Sequence, residues 1–118
     1  MIQHISAMTF AVRDMARSVE FYRKLGFELL HGGKHAAFSS VRAGEAFVNL
    51  SADPRYEHRW WGRAIFRVDD VDAHYRALQA QGLILEAPRD APWGERFFHL
   101  TDPDGHELSF AELLSVRS

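Results

Sequence analysis

Met8-Thr9-Phe10-Ala11-Val12-Arg13-Asp14, with the run that follows it to Leu30, recurs from Ala64 at a constant offset of 56 residues. Phe10, Val12, Asp14, Gly26 and Phe27 fall on Phe66, Val68, Asp70, Gly82 and Leu83. Two copies of one supersecondary unit in a chain of 118 residues predict a pseudo-symmetric arrangement, whose binding site is expected where the copies meet.

Working outward, Met8, Phe10 and Val12 alternate with Ala7, Thr9 and Ala11, which predicts a strand over residues 4–12. Asp14 is placed to cap a helix over about 15–25, with Met15, Val19, Tyr22 and Leu25 at helical spacing and Gly26 as its stop. Strands are expected over 27–31, 36–42 and 46–51, with turns at Gly32-Gly33 and Ala43-Gly44. After a linker over 52–60, the second module repeats the order. Its strand spans 62–68, its helix is capped by Asp70 and stopped by Gly82, and strands follow over 83–86, 96–101 and 106–112. Asp102-Pro103-Asp104-Gly105 carries strong turn chemistry between the last two. The expected fold is α+β: two tandem β-α-β-β-β modules, about 1–53 and 60–114, forming a curled, mostly antiparallel sheet around a trough, within one domain.

Composition bounds the function. With 47% hydrophobic and 25% charged residues the chain has material for one core. No apolar run approaches 18 residues and no leader pattern opens the chain, so neither membrane nor export is indicated and a cytoplasmic location is expected. Without cysteine there is no disulfide, thiolate metal site or cysteine nucleophile. A net charge of -2 gives no footprint for nucleic acid.

Alternation also assigns faces. Met8, Phe10, Val12, Ala64, Phe66, Val68, Val48, Leu50, Leu108 and Phe110 should lie beneath the helices. The opposite face then carries Ala7, Thr9, Ala11, Phe47, Asn49, Arg63, Ile65, Arg67, Glu107 and Ser109 as the trough floor.

Ala11-Val12-Arg13-Asp14, Ser18-Val19-Glu20-Phe21-Tyr22, Leu25-Gly26-Phe27 and Asp102-Pro103-Asp104-Gly105-His106, set in paired modules, resemble the vicinal oxygen chelate superfamily over nearly the whole chain. That superfamily includes glyoxalase I, extradiol dioxygenases, fosfomycin-resistance transferases and bleomycin-resistance proteins. The resemblance implies a divalent metal held from the first and fourth strands of each module, at positions that read Ala7, Asn49, Arg63 and Ser109 here. A methyl group offers no donor, a guanidinium repels a cation, and two neutral oxygens do not retain a catalytic ion. No metal and no cofactor are therefore expected, which is the pattern of bleomycin-resistance proteins. Ala91-Pro92-Trp93-Gly94-Glu95-Arg96-Phe97 is similar to a segment of that subgroup.

The functional expectation is thus reversible capture of an aromatic or amphipathic small molecule, with a second copy of the chain completing the cavity as the resemblance implies. Phe47, Trp93 and a junction tryptophan, Trp60, are the apolar candidates; Asn49, Arg63, Arg67, Glu107 and Ser109 are the polar ones. Of the two arginines, Arg67 is expected to pair with Glu107 and Arg63 to meet an anionic ligand. Trp93 stands equally as a stacking platform or a structural lid. Asp14, Asp70, Asp102 and Asp104 are assigned to caps and turns, and no catalytic residue is proposed. The alternatives are a metal-dependent lyase, isomerase or dioxygenase built from His4 or His99 with Glu107 or Glu112, and a non-catalytic dimerisation domain.

Overall fold

The computed structural model describes residues 1–114. The chain forms two compact units, one of residues 1–59 and one beginning at Trp60. In the first, strand β1 (Ala7–Val12), helix α1 (Met15–Lys24), and strands β2 (Glu28–His31), β3 (Phe38–Ala43) and β4 (Ala46–Ala52) follow in order. They make a four-stranded sheet ordered β1-β4-β3-β2. The second unit contains β5 (Arg63–Arg67), α2 (Val71–Ala80), β6 (Arg89–Ala91), β7 (Glu95–Thr101) and β8 (Glu107–Leu113), ordered β5-β8-β7-β6. In each sheet the first strand runs parallel to the fourth and the other pairings are antiparallel. Two tandem β-α-β-β-β modules of an α+β fold are therefore present.

The helix starts follow from their caps. The Asp14 carboxylate accepts from the Arg17 amide at 3.1 Å, and Asp70 from the Ala73 amide at 3.0 Å, each satisfying a donor that the first helical turn leaves open. The stops are equally local. Gly26 and Gly82 take φ of 106° and 86°, which lets Phe27 N–H reach Tyr22 O and Leu83 N–H reach Leu78 O. Met15, Ser18, Val19 and Tyr22 recur on one stripe of α1, and all four are buried. Beneath the helices lie Phe10, Val12, Val48 and Leu50 in the first unit, and Ala64, Leu108 and Phe110 in the second, all buried as the alternation requires.

The Asp102–Gly105 turn is held by its first residue. The Asp102 carboxylate accepts from the amides of Asp104 and His106, both at 2.9 Å, which fixes the β7–β8 hairpin and accounts for a buried carboxylate there.

One expected strand is not formed. Residues 83–86 have no regular structure, and the strand in that place in the sheet is β6, further along the chain. The tight turn through Pro92, Trp93 and Gly94 sets Arg89 opposite Phe97 and Ala91 opposite Glu95. The ladder ends at Arg89, directly after Pro88, a residue whose ring and missing amide hydrogen suit a strand end. Ile84, in the irregular segment before it, stands fully exposed, at 99%.

Candidate functional site

The face of the second sheet turned away from α2 carries its polar and aromatic residues in register. Parallel pairing sets Arg63 against Glu107 and Ile65 against Ser109, while β7 brings His99 opposite Ser109. The Arg63 guanidinium lies 2.5 Å from the Glu107 carboxylate, donates to the Leu108 carbonyl at 3.1 Å and reaches the Ser109 hydroxyl at 3.3 Å. Both members of this ion pair are about three-quarters buried, with side chains 26% and 27% exposed. The pairing expected for Arg67 thus belongs to Arg63. Register decides it: Arg67 stands opposite Ala111, and its guanidinium instead meets Glu95 of β7 at 3.1 Å.

Beside this pair runs an aromatic strip. The Trp93 indole lies nearly parallel to the Phe97 ring, 18° between planes and 6.2 Å between centroids, and Phe97 is followed by His99 at 4.8 Å. Trp93 Nε1 donates to Glu95 at 2.8 Å, and the Arg89 guanidinium sits 5.0 Å over Phe97. Trp93 remains 69% exposed, so it is aligned by these contacts without being covered. Ile65, Trp93, Phe97, His99 and Ser109 border a cleft of about 190 Å³. A second cleft of about 380 Å³ is bordered by Arg63, Ile84, Glu86, Leu100 and Glu107, and His99 borders it too.

His99 is electrostatically distinct. Burial of its ring, then the nearby Arg63 charge, push its pKa below the ordinary histidine value; Arg89 acts the same way, while Glu86 and Glu107 oppose. Its Nδ1 lies 2.5 Å from the Ser109 hydroxyl, and Ser109 is only 1% exposed.

Of the other sequence candidates, Phe47 and Asn49 lie on the corresponding face of the first unit, Phe47 beneath the Arg42 guanidinium at 5.8 Å. Asn49 spends its amide locally: Oδ1 accepts from the Ser40 hydroxyl at 2.6 Å and Nδ2 donates to Thr9 at 3.3 Å. Trp60 is exposed, whereas its neighbour Trp61 donates to the buried His106 ring at 2.8 Å. The second unit therefore brings Arg63, Arg67, Trp93, Glu107 and Ser109 onto one face. The sequence reading did not propose Phe97, Arg89 or Glu95 as ligand contacts there, and it named His99 only as a metal ligand of the alternative reading, with a solvated or hydrogen-bonded histidine as the default. The signal was available. Phe98 and Leu100 are apolar and buried, so alternation on β7 sends Phe97 and His99 to the other face.

The donor set does not suit a divalent ion. Where the resemblance implies ligands, Arg63 is a permanent cation resting on Ser109, the Asn49 carbonyl is engaged by Ser40, and Ala7 has only a methyl group. Among the described residues no three histidine or carboxylate side chains converge to hold a metal. Among the same residues no helix is long and apolar enough to cross a membrane.

A pair of β-α-β-β-β modules, each sheet joining its first strand in parallel to its fourth, defines the class to which comparison with known proteins assigns this chain. Residues 2–110 match the Glyoxalase/Bleomycin resistance protein/Dioxygenase superfamily, and the chain belongs to that superfamily. Among curated proteins it is 29% identical over 115 residues to the metallothiol transferase FosB of Lysinibacillus sphaericus, covering 92% of this chain and 82% of that one. Among solved structures, the bleomycin resistance determinant encoded on transposon Tn5 superposes with a TM-score of 0.80 at 23% identity, over 94% of this chain and 98% of the other. Lactoylglutathione lyase from Agrobacterium tumefaciens superposes with a TM-score of 0.76 at 20% identity, over 94% of both. Those two likenesses describe the fold.

Proposed function

We propose that this protein captures a small aromatic or amphipathic molecule reversibly and without a metal ion, in the manner of a bleomycin-resistance-like binding protein, working as a homodimer in the cytoplasm. The observation that carries the reading is the Arg63–Glu107 pair with Ser109: a fixed organic cation stands where a metal ligand would be needed, beside an open aromatic cleft. Trp93 and Phe97 supply apolar contact area to a planar ligand at little entropic cost, because both rings are already aligned. Within the second unit Trp60 is a further apolar contact and Arg67 a further polar one in this reading, with Ser109 acting through His99, while Phe47 and Asn49 are the candidate contacts of the first unit's own face. In this reading the face binds without turnover, its carboxylates Glu95 and Glu107 each being held by an arginine.

A thermal-shift screen of aromatic and amphipathic compounds, bleomycin-type drugs included, tests it. A ligand that binds the folded state raises the melting temperature by mass action. The reading expects concentration-dependent shifts that Trp93→Ala reduces; a broad screen with no shift overturns it and favours a domain that serves only assembly.

The 29% identity to a metallothiol transferase supports a second reading, a metal-dependent enzyme with non-standard ligands such as His99 and Glu107. Metal analysis of purified protein separates the two. A stoichiometric divalent ion lost on replacing those residues establishes the second.

A further inference from the structure

Ser109 determines which face of His99 a ligand meets. The Ser109 hydroxyl carries one hydrogen and is buried, so that hydrogen needs an acceptor. Of its two side-chain neighbours, Arg63 can only donate, which leaves His99 Nδ1 at 2.5 Å as the acceptor. His99 is therefore a neutral imidazole with its proton on Nε2. No protein group among the described residues receives that N–H, and Nε2 is not one of their sealed, unpartnered polar atoms, so it is open to solvent on a residue that borders both clefts.

The charges around it are already matched. Arg63 faces Glu107, Arg67 faces Glu95 at 3.1 Å, and Arg89 faces Glu86 at 3.8 Å, while Trp93 Nε1 is held by Glu95. An anionic ligand would meet guanidiniums whose charge a carboxylate already balances, and would gain correspondingly little from them. A neutral acceptor needs to displace only water from His99. The smaller cleft, about 190 Å³, suits one compact aromatic group, since a cavity of about 150 Å³ accepts benzene.

We propose that the ligand is an uncharged aromatic carbonyl compound: its ring lies in the smaller cleft against Phe97 and Ile65, its carbonyl oxygen accepts from His99 Nε2–H, and any further substituent extends into the larger cleft. His99 is then the residue that sets specificity. This rests on the reading of the face as a ligand site and adds the chemistry that the site selects.

Three probes that share one ring test it: indole-3-carbaldehyde, 3-methylindole and indole-3-carboxylate, each titrated into the full chain and followed by amide shifts of residues 89–99 and 107–111. The expected result is that the aldehyde binds at least about tenfold more tightly than either companion, and that His99→Phe brings aldehyde and methyl compound to within about twofold while the methyl compound still binds. Equal binding of all three, preference for the carboxylate, or an aldehyde preference that survives His99→Phe overturns the His99 assignment and leaves the capture reading standing. No shift with any probe at millimolar concentration overturns the proposed ligand chemistry, and together with a silent broad thermal-shift screen it overturns the capture reading as well. Should His99→Phe fail to fold, the ring-nitrogen shifts of His99 in the unaltered protein decide. A proton on Nε2 with a bare Nδ1 is expected near neutral pH, and a proton on Nδ1 removes the basis of the proposal.

Discussion

Replacing Arg63 by methionine keeps most of the aliphatic stem and removes the guanidinium. What is lost is a charge-assisted bond to Glu107, a bond to the Leu108 carbonyl and a longer contact with Ser109. An exposed ion pair contributes about 0–1 kcal/mol, whereas breaking a fully buried one costs about 3–5 kcal/mol. With side chains 26% and 27% exposed, this pair lies between those limits, because water still reaches the abandoned carboxylate. The expected loss is about 1.5–2 kcal/mol, and for a chain of this size that corresponds to roughly 6–8 °C in melting temperature. Urea unfolding of the parent, Arg63→Met, Glu107→Gln and the double variant closes a mutant cycle, with a coupling energy of about 1 kcal/mol and unchanged m-values expected. A coupling below about 0.3 kcal/mol would refute the reasoning, since the pair would then behave as a loose surface contact with no hold on the site.

Other consequences are equally specific. Asp14→Ala and Asp70→Ala each remove a side-chain acceptor at a helix start and should cost about 1 kcal/mol in chemical denaturation. Gly32 takes φ of 82°, and a Cβ there would stand 2.3 Å from the Phe38 carbonyl oxygen, so Gly32→Ala should destabilise by about 3 kcal/mol. Gly44→Ala, with φ of 62° and open space around it, should cost only about 1 kcal/mol. For His99, burial and Arg63 lower the folded-state pKa below its value in the unfolded chain, so the unfolded state binds more protons as the medium is acidified. Stability should therefore be level above the unfolded histidine pKa and fall as pH drops from there towards the depressed folded value. His99→Gln should flatten that slope in a series of denaturation curves at stepped pH. Trp93→Ala should weaken capture of a planar ligand about five- to tenfold, by titration calorimetry, with little change in stability because the ring is 69% exposed.

How much of this was legible beforehand depended on whether a residue's role was set locally. Asp14, Asp70 and the glycines after the helices act within four residues of themselves, and the helix bounds follow from them. The buried stripe and the alternating strands are periodic signals, and burial follows the faces they assign on β1, β4 and β5, whereas on β8 Ser109 and Ala111 are buried along with Leu108 and Phe110. The strand expected over 83–86 shows where periodicity misleads: Leu83 to Leu85 are apolar, yet Pro88 and the Trp93 turn determine which residues meet β7. The site divided along the same line. Arg63 and Arg67 share a face because they are two apart, but which one finds Glu107 depends on how β5 slides against β8, a non-local register that no window of sequence displays. The link from Ser109 to His99 likewise requires knowing that β7 and β8 pair with those two residues opposite.

The central claim is that the face built on β5, β7 and β8 binds an organic molecule and needs no divalent ion to do so. One measurement addresses it most directly: the ligand-induced rise in melting temperature, taken on untreated protein, after exhaustive chelation, and after re-addition of manganese or zinc. The account predicts the same rise in all three samples. A rise that disappears on chelation and returns with the metal would contradict it.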